Sequence, residues 1–192
     1  MRRISKLRIG AGALKARPVG REPGPGTRPL LAGIRKSLFD ILGPRLPGAA
    51  VLDVFAGTGS FGLEALSRGA ASAVLVEMDH EAVRWLKESV ATLGLGDRAR
   101  IVPAEAGATL RALAAAGERF GVVMLDPPFA QDRAAELLAG AAGVLAPGGI
   151  VVLRLPVHRR LPAGADALAL VRHNRYGVSG VGFYEREGEG GT

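Results

Sequence analysis

Three acids close three apolar runs in this chain: Asp53 in VLDVFAG, Glu77 in SAVLVE and Asp126 in VVMLDPPFA. After Asp53, Gly57, Gly59 and Gly62 satisfy G-x-G-x-x-G, and Glu77 follows Gly57 by 20 residues. That spacing describes a turn that lets a nucleoside approach the backbone while an acid accepts hydrogen bonds from the ribose hydroxyls. Asp53 discriminates between ligands. A pyrophosphate seated on the following helix N-terminus would be repelled by a carboxylate four residues before the first glycine. A ligand carrying an ammonium and a sulfonium would be attracted, and that ligand is S-adenosylmethionine. Met78 is placed to pack on an adenine face. Glu105 follows the third strand, with Ala106 beside it, and is either an acceptor for the adenine amine or a solvated loop acid.

Asp126-Pro127-Pro128-Phe129 offers a second piece of chemistry. The exocyclic amine of a purine is a poor nucleophile because its lone pair is delocalised into the ring. Two oxygens that accept both N–H hydrogens, the Asp126 carboxylate and the Pro127 carbonyl, would draw the nitrogen toward tetrahedral geometry and aim its lone pair at a methyl donor. The prolines fix the backbone in advance, so little ordering entropy is lost on binding. Phe129 supplies a stacking face for the base, worth about 1–3 kcal/mol. Holding donor and amine in line supplies roughly 7–11 kcal/mol of the barrier. The plainer alternative is that Pro-Pro ends a strand and Phe129 packs in the core. Asp53, the glycine loop and Glu77 at matching strand ends favour the catalytic reading.

Both sites need a doubly wound sheet to meet. Val/Ile/Leu-rich runs (AAVLDVFAG, SAVLVE, ARIVPA, FGVVML and GGIVVLRL) alternate with helical segments (SFGLEALSRG, DHEAVRWLKESVATLG, AGATLRALAAAG and QDRAAELLAGAAGVL). This pattern predicts an α/β fold, a Rossmann-like sheet that is mostly parallel and covered on both faces. Asp79 is the expected N-cap of the second of these helices. The fourth strand neighbours the first in such sheets, which brings Asp126 to the glycine loop. ALALVRHNRYGVSGVGFYERE, without a helix, predicts a closing antiparallel hairpin. Upstream, LLAGIRKSLFDIL has helical spacing and stops at Gly43-Pro44, and Ser5–Ile9 alternates like an edge strand. The organisation expected is a basic extension over 1–45, a catalytic domain over 46–187 and a disordered tail over 188–192.

Composition narrows the chemistry further. The 192 residues contain no cysteine, which excludes disulfides, thiolate metal sites and cysteine nucleophiles, and three histidines without paired spacing argue against a metal site. No apolar run approaches a membrane span, and the basic N-terminus leads into glycine rather than a signal-peptide core; a cytoplasmic monomer is expected. Residues 1–45 hold eleven basic and two acidic side chains, whereas the remaining 147 hold 14 and 16. The net charge of +7 therefore resides in the N-terminal quarter, as a polyanion-binding arm or a solvated tail.

DVFAGTGSFGLEALSRGA, VLVEMDHEAV and MLDPPF resemble the amino-modifying class I S-adenosylmethionine-dependent methyltransferases. RIGAGALKAR, TRPLLAGIRKSLFDIL and RYGVSGVGFYERE narrow the resemblance to the RsmD-type family, which methylates the N2 amine of a guanine in small-subunit (16S) ribosomal RNA. The resemblance implies that Asp126 to Phe129 hold the guanine and its amine. It implies that Asp53, Phe55, Ala56, Gly57, Thr58, Gly59, Ser60 and Glu77 bind the cofactor. It also implies that the N-terminal arm, with Arg2, Arg3, Lys6, Arg8, Lys15, Arg17, Arg28 and Arg35, binds RNA. The chain departs from the family at Leu30, Leu31, Ala32 and Gly33, where hydroxyl residues, an acid and a base are usual, and at Ala11 and Ala16, where glycines are usual.

Rival readings explain less. A DNA adenine or cytosine amino-methyltransferase shares the catalytic loop but needs a region to read base edges, and only 49 residues precede the core. A glutamine methyltransferase lacks its usual Asn in the motif. A non-catalytic RNA-binding module leaves the three strand-end acids unexplained, and an NAD-dependent oxidoreductase leaves Asp53 opposed to its ligand.

Overall fold

The computed structural model describes residues 7–19, 32–128 and 133–188. Arg2, Arg3, Lys6, Arg28, Phe129 and residues 189–192 of the expected tail lie outside these.

The chain begins with a two-stranded hairpin, β1 (Leu7–Arg8) and β2 (Pro18–Val19), and a helix, α1 (Ala32–Leu42), that runs into a 3-10 turn at Gly43–Arg45. Five strands then alternate with four helices: β3 (Ala50–Val54), α2 (Ser60–Ser67), β4 (Ser72–Val76), α3 (His80–Leu93), β5 (Ala99–Val102), α4 (Ala106–Ala115), β6 (Phe120–Leu125), α5 (Ala134–Ala142) and β7 (Leu145–Pro156). The closing strands are β8 (Gly164–Ala165), β9 (Leu168–Tyr176) and β10 (Ser179–Arg186). The main sheet has the order β5-β4-β3-β6-β7-β10-β9-β8, parallel through β7 and antiparallel beyond it. The chain reverses direction across the sheet between β3 and β6, which makes their C-terminal ends the crevice of the fold.

Strand alternation divides the core. Val51, Val122, Met124, Ile150, Val152 and Phe183 pack with α1, α2 and α3, whereas Leu52, Val54, Val123, Leu125, Leu153 and Tyr184 pack with α4 and α5. Each such side chain, fully buried, stabilises the fold by roughly 1.5–3 kcal/mol. Two boundaries depart from expectation. α5 stops at Ala142, because Val144 and Leu145 are buried and Leu145 pairs with Phe120 as the start of β7. Within the described part of the alternating Ser5–Ile9 segment, Leu7–Arg8 form a strand that pairs within the hairpin rather than on the main sheet.

The hairpin shares the main core. Ile9 and Val19 are buried against it, and fully buried Glu64 of α2 accepts the Gly10 N–H at 2.6 Å. Glu64 also pairs with Arg68 at 2.8 Å and faces Arg35 at 3.8 Å. At the end of α2, the Ser67 hydroxyl donates to the Ala11 carbonyl and accepts the Leu14 N–H, while the Ser67 carbonyl accepts the Ala13 N–H. Arg35 corrects the RNA-binding expectation. It is 7% exposed and donates to the Arg8 carbonyl, so it ties α1 to the hairpin instead of facing a polyanion. A buried guanidinium facing a buried carboxylate is held by that charge.

Gly12 has φ +84°, and a Cβ there would lie 2.0 Å from the Ser67 carbonyl oxygen. Ala16 has φ +67° with no such relief from its side chain. Gly12→Ala is therefore expected to destabilise the protein by more than about 1 kcal/mol, and Ala16→Gly to leave it unchanged or slightly more stable. Denaturant unfolding of the two variants checks both signs.

Candidate cofactor and acceptor site

β3 delivers the chain into a turn with three left-handed residues, Phe55 (φ +69°), Gly57 (φ +52°) and Gly59 (φ +75°). The glycines take this conformation readily, but Phe55 is strained by about 1–2 kcal/mol. Such strain persists only where surrounding bonds over-determine it. Here the Ala56 N–H donates to the Val76 carbonyl and the Gly57 N–H to Glu77 Oε2 at 2.8 Å. Glu77 Oε1 accepts the N–H groups of Met78 and Asp79. Glu77 thus fastens the glycine turn to the end of β4, and Asp79 caps α3 by accepting the Ala82 N–H at 2.8 Å.

Gly62 lies in the first turn of α2, and a Cβ there would lie 2.2 Å from Leu75. This close approach lets its N–H donate to Asp53 Oδ2 at 2.9 Å. Asp53 is 2% exposed, and burial pushes its carboxyl up from 3.8 to about 7; the Gly62 N–H opposes the rise, and the charges of Asp126 and Glu77 add to it. Three acids that the sequence placed on separate strands therefore act on one crevice.

Asp126 follows β6 with Pro127 buried and Pro128 exposed. Arg154 of β7 grips it with a fork, Nε to Oδ1 at 2.6 Å and Nη2 to Oδ2 at 2.8 Å, and Arg154 Nη1 donates to the Ser179 hydroxyl at 3.4 Å. Burial raises the Asp126 carboxyl above its ordinary value, while the Arg154 charge and its hydrogen bonds pull it down. Arg154 was missed by sequence reasoning. The signal was present: a single arginine within the apolar run GGIVVLRLP demands a buried partner.

Glu105 has work besides any ligand. It caps α4 by accepting the Ala108 N–H at 2.7 Å and pairs with Arg133 at 2.8 Å. The Ala108 N–H, Arg133 and the Gly107 N–H hold its carboxyl down at about 2. Ala106, the first residue of α4, is buried, and Thr58 and Ser60 are half-buried in the glycine turn. Met78 is 62% exposed beside Glu77, an apolar surface open to a flat ring. On the hairpin, Arg8, Lys15 and Arg17 are exposed, with Arg8 donating to the Ala16 carbonyl and Arg17 to that of Thr92.

These residues fit S-adenosylmethionine. Asp53 offers a buried carboxylate to a cation, Glu77 a second acid, and Met78 an apolar surface. Above Gly57 a Cβ would meet nothing nearer than the Phe55 carbonyl at 4.0 Å, so the backbone there is open to close approach. The Asp53 carboxyl retains its proton up to about pH 7 in the fold but loses it near 3.8 when unfolded, so it removes stability as pH rises through that window. A cationic ligand selects the ionised form. Affinity for S-adenosylmethionine is expected to rise at least about tenfold between about pH 5.5 and about pH 7.5, and Asp53→Asn to bind weakly with a flat profile. Calorimetric titration across that range checks this; a flat wild-type curve would contradict the counter-charge role.

Comparison with known proteins gives the family and the fold. Residues 7–185 match the family described as conserved hypothetical protein 95. Ribosomal RNA small subunit methyltransferase D of Escherichia coli K12 is 35% identical over 187 residues, covering 96% of this chain and 92% of its own. Among solved structures, a hypothetical protein of Thermus thermophilus superposes with a TM-score of 0.79 at 40% identity, over 92% of this chain and 98% of its own. A conserved hypothetical protein of Streptococcus pyogenes gives 0.74 at 31% identity, over 82% and 98%. The chain belongs to the conserved hypothetical protein 95 family, the RsmD-type S-adenosylmethionine-dependent ribosomal RNA methyltransferases.

Proposed function

We propose that the protein methylates the N2 amine of a guanine in 16S ribosomal RNA, working as a cytoplasmic monomer without a metal on the assembling or assembled small subunit. The observation that carries this reading is the placement of Asp53 and Asp126 at the C-terminal ends of adjacent strands, on one face of the sheet, with the rigid Pro127-Pro128 after the second. Asp53 to Ser60 with Glu77 and Met78 hold the cofactor, with Glu105 and Ala106 at its adenine end. S-adenosylmethionine supplies, when bound, an electrophilic methyl group.

The chain's own residues prepare the acceptor. One amine hydrogen is accepted by an Asp126 carboxylate oxygen and the other by the Pro127 carbonyl, which localises the N2 lone pair. Phe129 stacks on the guanine. The nitrogen becomes acidic once alkylated, so its proton leaves without a strong base. The exposed Arg8, Lys15 and Arg17, together with Arg2, Arg3, Lys6 and Arg28, contact phosphates of the RNA. RNA is recognised largely by shape and by splayed single-stranded bases rather than by base edges read in a groove. A target in a structured loop has to be splayed out, costing a few kcal/mol.

The first experiment offers methyl-labelled S-adenosylmethionine with unmodified small subunits, their free RNA and duplex DNA. Label recovered as N2-methylguanine from the ribosomal acceptors is expected; label at another atom, or in DNA alone, would overturn the assignment. Asp126→Ala should lower turnover by about 100-fold with little change in cofactor affinity, and wild-type rates would remove Asp126 from the mechanism. The arm cannot be tested by deletion, since Ile9 and Val19 belong to the core. Lys15→Glu with Arg17→Glu should instead weaken RNA binding and flatten its salt dependence by about one unit of slope per lost phosphate contact.

A further inference from the structure

We infer that Arg154 is the positioning residue of the acceptor site: its fork occupies the end-on side of the Asp126 carboxylate, so the target amine is received by the outer lone pair of one oxygen. The inference rests on the acceptor role given to Asp126 above.

Strand pairing creates the contact. β6 and β7 run parallel with Leu125 opposite Leu153, which sets Asp126 abreast of Arg154 on the face that carries Met124 and Val152. The guanidinium reaches both carboxylate oxygens, at 2.6 and 2.8 Å, in a two-point fork. Such a fork consumes one lone pair on each oxygen and fixes the carboxylate plane. One lone pair per oxygen remains, directed to the flanks. A guanine edge presents N1–H and N2–H side by side, and accepting both would need the end-on positions that Arg154 holds. Asp126 is thereby restricted to the amine.

The guanidinium also governs the charge of its partner. Asp126 shares the crevice with Asp53 of β3 and Glu77 at the end of β4, both acids, and Ser179 of β10 contributes a neutral hydroxyl. Among the described residues Arg154 is the cation paired with Asp126, and it is itself buried, with 9% of its side chain exposed. Burial alone would favour a protonated Asp126, whose O–H would donate where the amine needs an acceptor. The pair is weak evidence of a stabilising role, because well-packed apolar residues commonly replace a buried ion pair without loss. Its position, at the mouth of the crevice with 20% of the Asp126 side chain exposed, ties it to the acceptor.

The test is a cycle between Arg154→Gln and Asp126→Asn, read as label transferred to small-subunit RNA against pH. Arg154→Gln is expected to move the acid limb of turnover upward by about one pH unit. In the Asp126→Asn background the same change should cost no more than about twofold and move no limb. Carboxyl 13C shifts of Asp126, titrated without cofactor or RNA, should show the same upward move, which separates failure of this inference from failure of the RNA assignment. Arg154→Lys keeps the charge but not the fork; it should retain the acid limb and the KM for RNA while lowering kcat about tenfold. Superimposable pH profiles with an unmoved carboxyl titration would overturn the inference. So would an equal loss in both backgrounds. Should Arg154→Gln fail to fold, the cycle with Arg154→Lys decides: a kcat loss that persists undiminished in Asp126→Asn overturns it.

Discussion

The parallel register of β3, β6 and β7 is the constraint on which the site depends. Asp53 lies opposite Met124 in the β3–β6 ladder, and the Asp126 N–H, two residues on, donates to the Val54 carbonyl at 3.4 Å. Leu125 lies opposite Leu153 in the next ladder. Because side chains alternate along a strand, a slip of one residue in either ladder would send an acid or Arg154 to the opposite face. The apolar residues between them prevent that slip. Val122 and Met124 must meet the layer of α1, α2 and α3, while Val123 and Leu125 must meet α4 and α5. Core packing and site geometry are thus one requirement.

That site works against stability in several places. Asp53 is buried where its charged form is disfavoured, and Phe55 is held in a left-handed conformation. The compensation is local and dense: the Gly62 N–H on Asp53, Glu77 bonding the Gly57, Met78 and Asp79 N–H groups, and the Arg154 fork on Asp126. A crevice assembled in this way is preorganised, since its dipoles and backbone are oriented before any ligand arrives.

The parts legible in the sequence are those that depend on local pattern. Continuous apolar strands announced a doubly covered sheet, Asp79 announced the start of α3, and the strand-end acids announced the crevice. What stayed hidden depends on register or on distant partners. Arg154 and Asp126 are 28 residues apart, and Glu64 meets Gly10 across 54. No periodicity encodes either contact. The end of α5 was misplaced because Val144 and Leu145 satisfy a buried helix and a buried strand equally well. Glu105 was ambiguous for a related reason: whether an acid caps a helix or serves a ligand is decided by the turn before it, and here that turn aims it at the Ala108 N–H. Arg35 looked like part of a basic surface until α1 docked, which turned it inward against Glu64.

Glu64 and Ser67 stand at the far end of the helix whose first residue, Ser60, closes the glycine turn. The hairpin is therefore keyed to α2 by a buried acid, a hydroxyl and a glycine with no room for a methyl group. It cannot be treated as an exchangeable cartridge. Grafting it onto another methyltransferase would require the recipient's corresponding helix to carry the same acid and hydroxyl three residues apart, and a recipient lacking them would gain the positive charge without its orientation.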